Sequence, residues 1–92
     1  MRIRWTKPAA TDFARICEFS AERFGAARSH QTAMTIYDSA DSLTTFPERG
    51  RKGKKPNTRE LTLPGLPFVM IYHVREPLVE ILRILHGAQK WP

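Results

Sequence analysis

The sequence predicts an α+β fold in the order β-α-α-β-β-β, an antiparallel sheet with a helical hairpin packed on one face. Three observations carry that prediction. A short alternating run opens the chain, two amphipathic helical stretches follow back to back, and three β-branched and aromatic runs separated by turn signals close it.

Residues 2–5 (RIRW) alternate polar and apolar, as a short strand does. Thr6 then precedes Lys7 and Pro8, which suits a helix cap with proline in the first turn. Phe13, Ile16, Cys17 and Phe24 recur near helical spacing, with Asp12, Arg15, Glu18, Glu22 and Arg23 assigned to the other side. Gly25 stops this helix. A second begins after Ala26 and Ala27, and Ala33, Ile36, Tyr37, Ala40 and Leu43 form its apolar stripe. Phe46 before Pro47 ends it, because the residue before proline is pushed out of the helical region. So short a connection predicts an antiparallel pair of helices.

Strands are expected over 58–63, 68–74 and 78–85, with turns at Pro64-Gly65 and Arg75-Glu76-Pro77. Short turns make these three a meander, whose first and last members can both lie near the middle one. Arg59 and Arg83 are therefore expected to share one surface.

Ninety-two residues make a single domain, 1–92, with too little chain for two cores or a deep enclosed pocket. Cys17 is the one cysteine, which excludes a disulfide framework and a cysteine-based zinc site. It falls on an apolar stripe and is expected to pack rather than react. No secretory signal follows Met1, and the longest apolar run, near Leu66 to Tyr72, is far short of the roughly 20 residues of a membrane span. A cytoplasmic protein with no membrane partner is the expectation.

The net charge is +6, and its distribution is local. Residues 49–55 (RGRKGKK) hold five of the fifteen basic residues and no acid; elsewhere ten basic residues face nine acidic ones. Such a run suits a phosphate chain, an acidic protein surface or plain solvation. Phosphate-loop, His-Glu-x-x-His and paired-cysteine signatures are absent from the sequence, and no cofactor or metal is called for. The chemistry-bearing residues that stand out are Arg49, Arg51, Lys52, Lys54, Lys55, Arg59, Arg83, His86 and Lys90. Guanidinium groups match phosphate oxygens, and RNA cleavage needs only an acid, a base and positive charge around its own 2′-hydroxyl. In that reading Arg59 and Arg83 hold phosphate while His86, of ordinary pKa near 6.5, moves protons. The plainer reading makes Arg83 an outward strand residue and His86 a cap on the sheet edge.

Four ordered segments then resemble a known family. They are Trp5 with residues 9–16, FPERGR at 46–51, TREL at 58–61 with FVMIYHV at 68–74, and EILRILHG at 80–87 running on to Trp91-Pro92. Together they resemble the ParE/RelE superfamily of bacterial toxins, the ParE branch most closely, over essentially the whole chain. The resemblance implies the toxin of a type II toxin–antitoxin module, inhibiting growth, associated with plasmid stabilisation and neutralised by a cognate antitoxin whose flexible carboxy-terminal segment wraps it. ParE-like members are associated with inhibition of DNA gyrase; RelE-like members cut mRNA in the ribosomal A site. Arg59 falls where the RelE branch has a basic strand residue, whereas Leu61 and Val69 replace two further basic positions. Those departures favour a gyrase poison without catalytic residues, with a metal-independent, ribosome-dependent mRNA endonuclease using Arg59, Arg83 and His86 as the alternative. Target or antitoxin contacts are expected at Arg49, Arg51, Lys52, Lys54, Lys55, Arg59, Arg83, His86, Lys90 and Trp91, and the antitoxin segment is expected to be acidic and amphipathic.

Overall fold

A computed structural model describes residues 1–87 of the chain. In chain order the elements are β1 (Arg2–Trp5), α1 (Lys7–Phe24), α2 (Ala26–Ser42), β2 (Arg51–Lys52), β3 (Arg59–Thr62), β4 (Phe68–Arg75) and β5 (Leu78–His86). They form a two-layer α+β structure, with the helical hairpin against one face of a five-stranded sheet ordered β1-β5-β4-β3-β2. The three carboxy-terminal strands lie within a residue or two of their predicted spans. Two features go beyond the prediction. β2, too short to leave a sequence signal, adds an antiparallel rung beyond β3. β1 pairs with β5 in parallel, Ile3 opposite Val79 and Trp5 opposite Ile81, so the sheet is mixed rather than wholly antiparallel.

Thr6 joins the two layers. Its side-chain oxygen accepts from the Ala9 N–H at 3.2 Å, capping α1, while its hydroxyl donates to the Leu82 carbonyl at 2.9 Å. Its own N–H reaches the Ile81 carbonyl, extending the β1–β5 ladder by one bond. The helices are separated by Gly25 alone, at φ 89°, a conformation that costs glycine little and most other residues more. Ser29 Oγ donates to the Cys17 carbonyl at 2.7 Å and ties the hairpin's arms together.

Ala9, Ile16, Ile36, Ala40 and Leu43 from the helices pack on Leu61, Leu63, Met70, Tyr72, Val79, Ile81 and Ile84 from the sheet side. Burying each large aliphatic side chain here contributes about 1.5 to 3 kcal/mol against the entropy of ordering the chain. Trp5 and Phe13 close one end, ring centroids 5.3 Å apart.

The helical stripes differ from the sequence expectation. Phe24 and Tyr37 are more than half exposed, whereas Asp12, Ser20, Thr32 and Ser39 are buried. Asp12, assigned by its charge to the solvent face, lies on the buried stripe with Ala9 and Ile16. The reason lies in the sheet. β1 runs out opposite Ile81, so the outer edge of β5 beyond that point lacks a partner strand. Asp12 Oδ2 accepts the Ile84 N–H at 3.0 Å, and the carboxylate takes two bonds from Arg83, Nε at 2.7 Å and Nη2 at 3.0 Å. A side chain thus stands in for a missing strand. In the β4–β5 ladder Ile71 faces Arg83 and Tyr72 faces Ile81, so Leu82 is an unpaired bulge residue beside this contact.

The sheet face away from the helices is more polar. Glu80 accepts charge from three sides: His73 Nε2 at 2.7 Å, Arg4 at 3.6 Å and Arg75 at 3.7 Å. The bond with His73 leads in holding the Glu80 carboxyl below the usual range, with help from the charges of His73, Arg4 and Arg75, and burial opposing.

Replacing Asp12 by Ala should lower unfolding free energy by about 2 to 3 kcal/mol, since it strands the Ile84 N–H and unpairs a half-exposed arginine. Urea titration should find Asp12→Asn milder, because the amide oxygen still accepts from Ile84, and Arg83→Ala milder than Asp12→Ala. A second expectation concerns acid. Because the Glu80 pKa is depressed on folding, its contribution is present above its ordinary value of 4.5 and lost as pH falls through the lower folded value. Across that window, stability of Glu80→Gln should fall less steeply than that of the parent; an unchanged slope would remove this residue from the acid response.

Candidate functional site

The segment joining α2 to the basic hairpin, residues 43–50, is held from below by one buried side chain. Tyr72 on β4 points into the layer between sheet and helices, where its hydroxyl donates to the Pro47 carbonyl at 2.7 Å and accepts the Gly50 N–H at 2.9 Å. Burial pushes this phenol above its usual range, while the Gly50 bond and the charges of Arg59 and Arg49 pull it back. It remains a neutral donor at physiological pH. Arg59, opposite Tyr72 in the ladder, donates to the Gly50 carbonyl at 2.7 Å and more distantly to that of Glu48 at 3.4 Å. A Cβ at Gly50 would meet Tyr72 and the Glu60 carbonyl at 2.8–2.9 Å, which is why glycine stands there.

Above this base, β2 and β3 form a short hairpin, Arg51 opposite Glu60 and Lys52 opposite Arg59. Its loop is closed by the Gly53 N–H on the Thr58 carbonyl at 2.8 Å and by Thr58 Oγ1 donating to the Lys55 carbonyl at 2.7 Å. Asn57 takes the left-handed conformation at φ 64°, which asparagine tolerates better than most. Any side chain at Gly53 would collide with Thr58. The basic run predicted as a loop is therefore a braced hairpin.

Beneath it lies an open cavity of about 660 Å³, lined by Lys52, Lys54, Lys55 and Arg59 together with Glu48 and Glu76. The structure divides the basic residues by type. Arg49 donates to Ser42 Oγ at 2.8 Å, Arg51 pairs with Glu60 at 3.0 Å, Arg59 holds backbone carbonyls and Arg83 holds Asp12. Lys52 and Lys54 are exposed and make no ion pair among the described residues.

Arg59, Arg83 and His86 do not converge. Their neighbours on β4 are Tyr72, Ile71 and Phe68. Tyr72 and Ile71 are consecutive and present opposite faces of the sheet. Phe68 lies four residues from Tyr72, about 13 Å along the strand. The common surface expected for Arg59 and Arg83 is absent, because a shared neighbouring strand does not by itself put two side chains on one face. His86 packs edge-on against Phe68, centroids 5.9 Å apart, and lines a separate recess of about 100 Å³ with Arg51, Lys54 and Glu60. Lys90 and Trp91 lie outside the described residues.

Cys17 is half-buried, and burial pushes its thiol up, away from reactivity. Among the described residues no three of His, Cys, Asp and Glu are grouped to hold a metal, and no helix is long and apolar enough to cross a membrane. Sequence reasoning missed Tyr72 and Asp12. Tyr72 had a signal, a phenol in the middle of an apolar strand, where a buried hydroxyl needs a partner; Asp12 had none beyond its place one helical turn from Ala9 and Ile16.

Comparison with known proteins adds to this geometry. Residues 3–91 match a family model described as the ParE toxin of the type II toxin–antitoxin system parDE. The chain is 34% identical to Y4kP of Sinorhizobium fredii, a protein named as a toxin, over 99% of this chain and 93% of the relative. It is 32% identical to toxin RelE2 of Caulobacter vibrioides, over 96% and 97% respectively. Among solved structures it resembles a chain of the chromosomal ParDE system from P. aeruginosa, with a TM-score of 0.84 and 27% identity over 94% of this chain and 95% of that one.

Replacing Tyr72 by Phe should remove both hydroxyl bonds and cost about 1 to 3 kcal/mol, since it leaves the Gly50 N–H buried without its partner. Amide exchange should quicken selectively over 48–53. Uniform protection across the chain would show that the hairpin's base is held by something else.

Proposed function

The chain belongs to the ParE toxin family of type II toxin–antitoxin systems, and from that premise we propose that it arrests growth by binding and poisoning DNA gyrase, without catalytic residues of its own. Family membership implies a cognate antitoxin that neutralises it. The action is placed in the cytoplasm, where gyrase and its DNA are.

The observation carrying this reading is the commitment of the candidate catalytic groups to the fold. Cleavage of RNA without a metal requires an acid, a base and a cation around one phosphate. Here Arg83 is bidentate to Asp12, Arg59 is turned to the Gly50 carbonyl, and His86 is packed on Phe68 at the far end of the sheet. A toxin acting by contact needs only a firm, charged surface, which the braced hairpin supplies. The antitoxin reading gains support from the helices, where Phe19, Phe24 and Tyr37 are 55%, 59% and 58% exposed. An acidic, amphipathic segment would cover such side chains and complement Arg23 and Arg28, which lie over the Phe19 and Phe24 rings.

One pair of observations favours a second reading, the ribosome-dependent mRNA endonuclease. The Caulobacter relative bears the name RelE2, and His86 shares its recess with Arg51 and Lys54.

Induction of the chain without its antitoxin, with resident plasmid run on a topology gel, separates the two. Gyrase poisoning predicts relaxed or linearised plasmid as growth stops, and His86→Ala should remain toxic. Growth arrest with normal plasmid topology, abolished by His86→Ala while antitoxin binding persists, would instead establish the nuclease.

A further inference from the structure

We infer that the outer edge of β1, with the groove between it and α2, docks an extended acidic segment of the toxin's protein target, which adds to the sheet as a sixth strand. The inference rests on the proposed gyrase reading and goes beyond it. It places a contact at the opposite end of the sheet from the basic hairpin, and it states what the bound element must look like.

The backbone carries the first part of the argument. β1 ends the sheet order and pairs on one side only, in parallel with β5. The Arg2 N–H reaches the Pro77 carbonyl at 3.0 Å and the Thr6 N–H reaches that of Ile81 at 3.1 Å, so Arg2, Arg4 and Thr6 turn their backbone groups inward. Ile3 and Trp5 alternate with them and point their N–H and C=O groups outward, where no described residue bonds them. Such a row of donors and acceptors is a template for another strand. The edge at the other end of the sheet, β2, is only two residues long and offers less.

Side chains fix the character of the strand that fits. Ile3 and Trp5 turn toward the helices and, with Tyr37, Ala40 and Asp41 of α2, line a groove of about 490 Å³ along the edge. A strand laid there sets alternate apolar residues on Ile3, Trp5 and the exposed ring of Tyr37. Its intervening residues lie on the other face beside Arg2 and Arg4, both exposed, and acids are favoured there. Asp41 in the groove wall repels acids from the apolar side, so the alternation has one sense. A second copy of this chain is a poor occupant, because antiparallel pairing of β1 with itself sets arginine opposite arginine. The antitoxin is placed on Phe19, Phe24 and Tyr37 of the helices. Tyr37 belongs to both surfaces, so a bound antitoxin obstructs the groove and competes with the target.

The test is biolayer interferometry of the full chain on immobilised DNA gyrase and, separately, on its antitoxin. Arg2→Glu sets a carboxylate against the incoming acids and should weaken gyrase binding about tenfold or more. Ile3→Pro removes one outward N–H without breaking the β5 ladder, a change that edge strands tolerate, and should weaken binding by about the same factor. Arg15→Glu, an equal charge reversal at an exposed position on α1, should change it much less. All three variants should still bind antitoxin, which shows that they have folded, and excess antitoxin should displace the parent from gyrase. Should Ile3→Pro fail to fold, Arg2→Glu against Arg15→Glu decides the matter. If the parent does not bind gyrase, the gyrase reading falls and this inference with it. If the parent binds and the edge variants lose no more than Arg15→Glu, the reading stands and the docking edge is overturned. Loss of antitoxin affinity alone, which assigns the edge to the antitoxin, overturns it as well, as does a stable ternary complex of the chain, antitoxin and gyrase.

Discussion

The contact on which the two layers depend is a carboxylate at the exposed edge of a strand. β1 covers only the first part of β5, and past Ile81 the strand's outward N–H groups face the helix layer. Asp12 fills that gap by accepting from the Ile84 N–H and from Nε and Nη2 of Arg83. A carboxylate taken so far out of water is stable only when its oxygens are fully engaged, and here they are. Thr6 makes the adjacent connection through the Ile81 and Leu82 carbonyls. Cap, carboxylate and bulge lie consecutively along one strand edge and fix the position of α1 on the sheet.

A similar economy runs through the basic residues. Arginine, whose several donors can satisfy a carboxylate or two carbonyls together, is used to brace the fold at Arg49, Arg51, Arg59 and Arg83. Lysine, strongly hydrated and on a flexible stem, is left facing water at Lys52 and Lys54. Around the hairpin and the α1–β5 contact, the basic residues thus divide into arginines tied into the fold and lysines facing water.

Shared ancestry with ParE toxins accounts for the fold, while the detailed placement of side chains bears on what that fold does. The superfamily supports both contact poisons and nucleases, and fold alone does not choose between them. The geometry that matters is the separation of Arg59, Arg83 and His86 along and across β4, and the engagement of each with a neighbour.

Local patterns determined most of the architecture. The carboxy-terminal strands, their turns, the helical hairpin and the Gly25 stop were all legible because each depends on residues close in sequence. The excess of charge in residues 49–55 was equally plain. What the tertiary structure alone decided involves partners far apart in the chain. The parallel pairing of β1 with β5 joins the two ends of the described chain, so no periodicity announces it. Asp12 reads as a solvent-facing charge until an unpaired strand edge, 72 residues away, is brought beside it. Tyr72 and Gly50 become one latch, and a run of lysines becomes one wall of a cavity, only when β4 passes beneath the hairpin. Sequence specifies the local conformations, whereas the fate of each polar group is decided by which distant donor or acceptor folding leaves unsatisfied next to it.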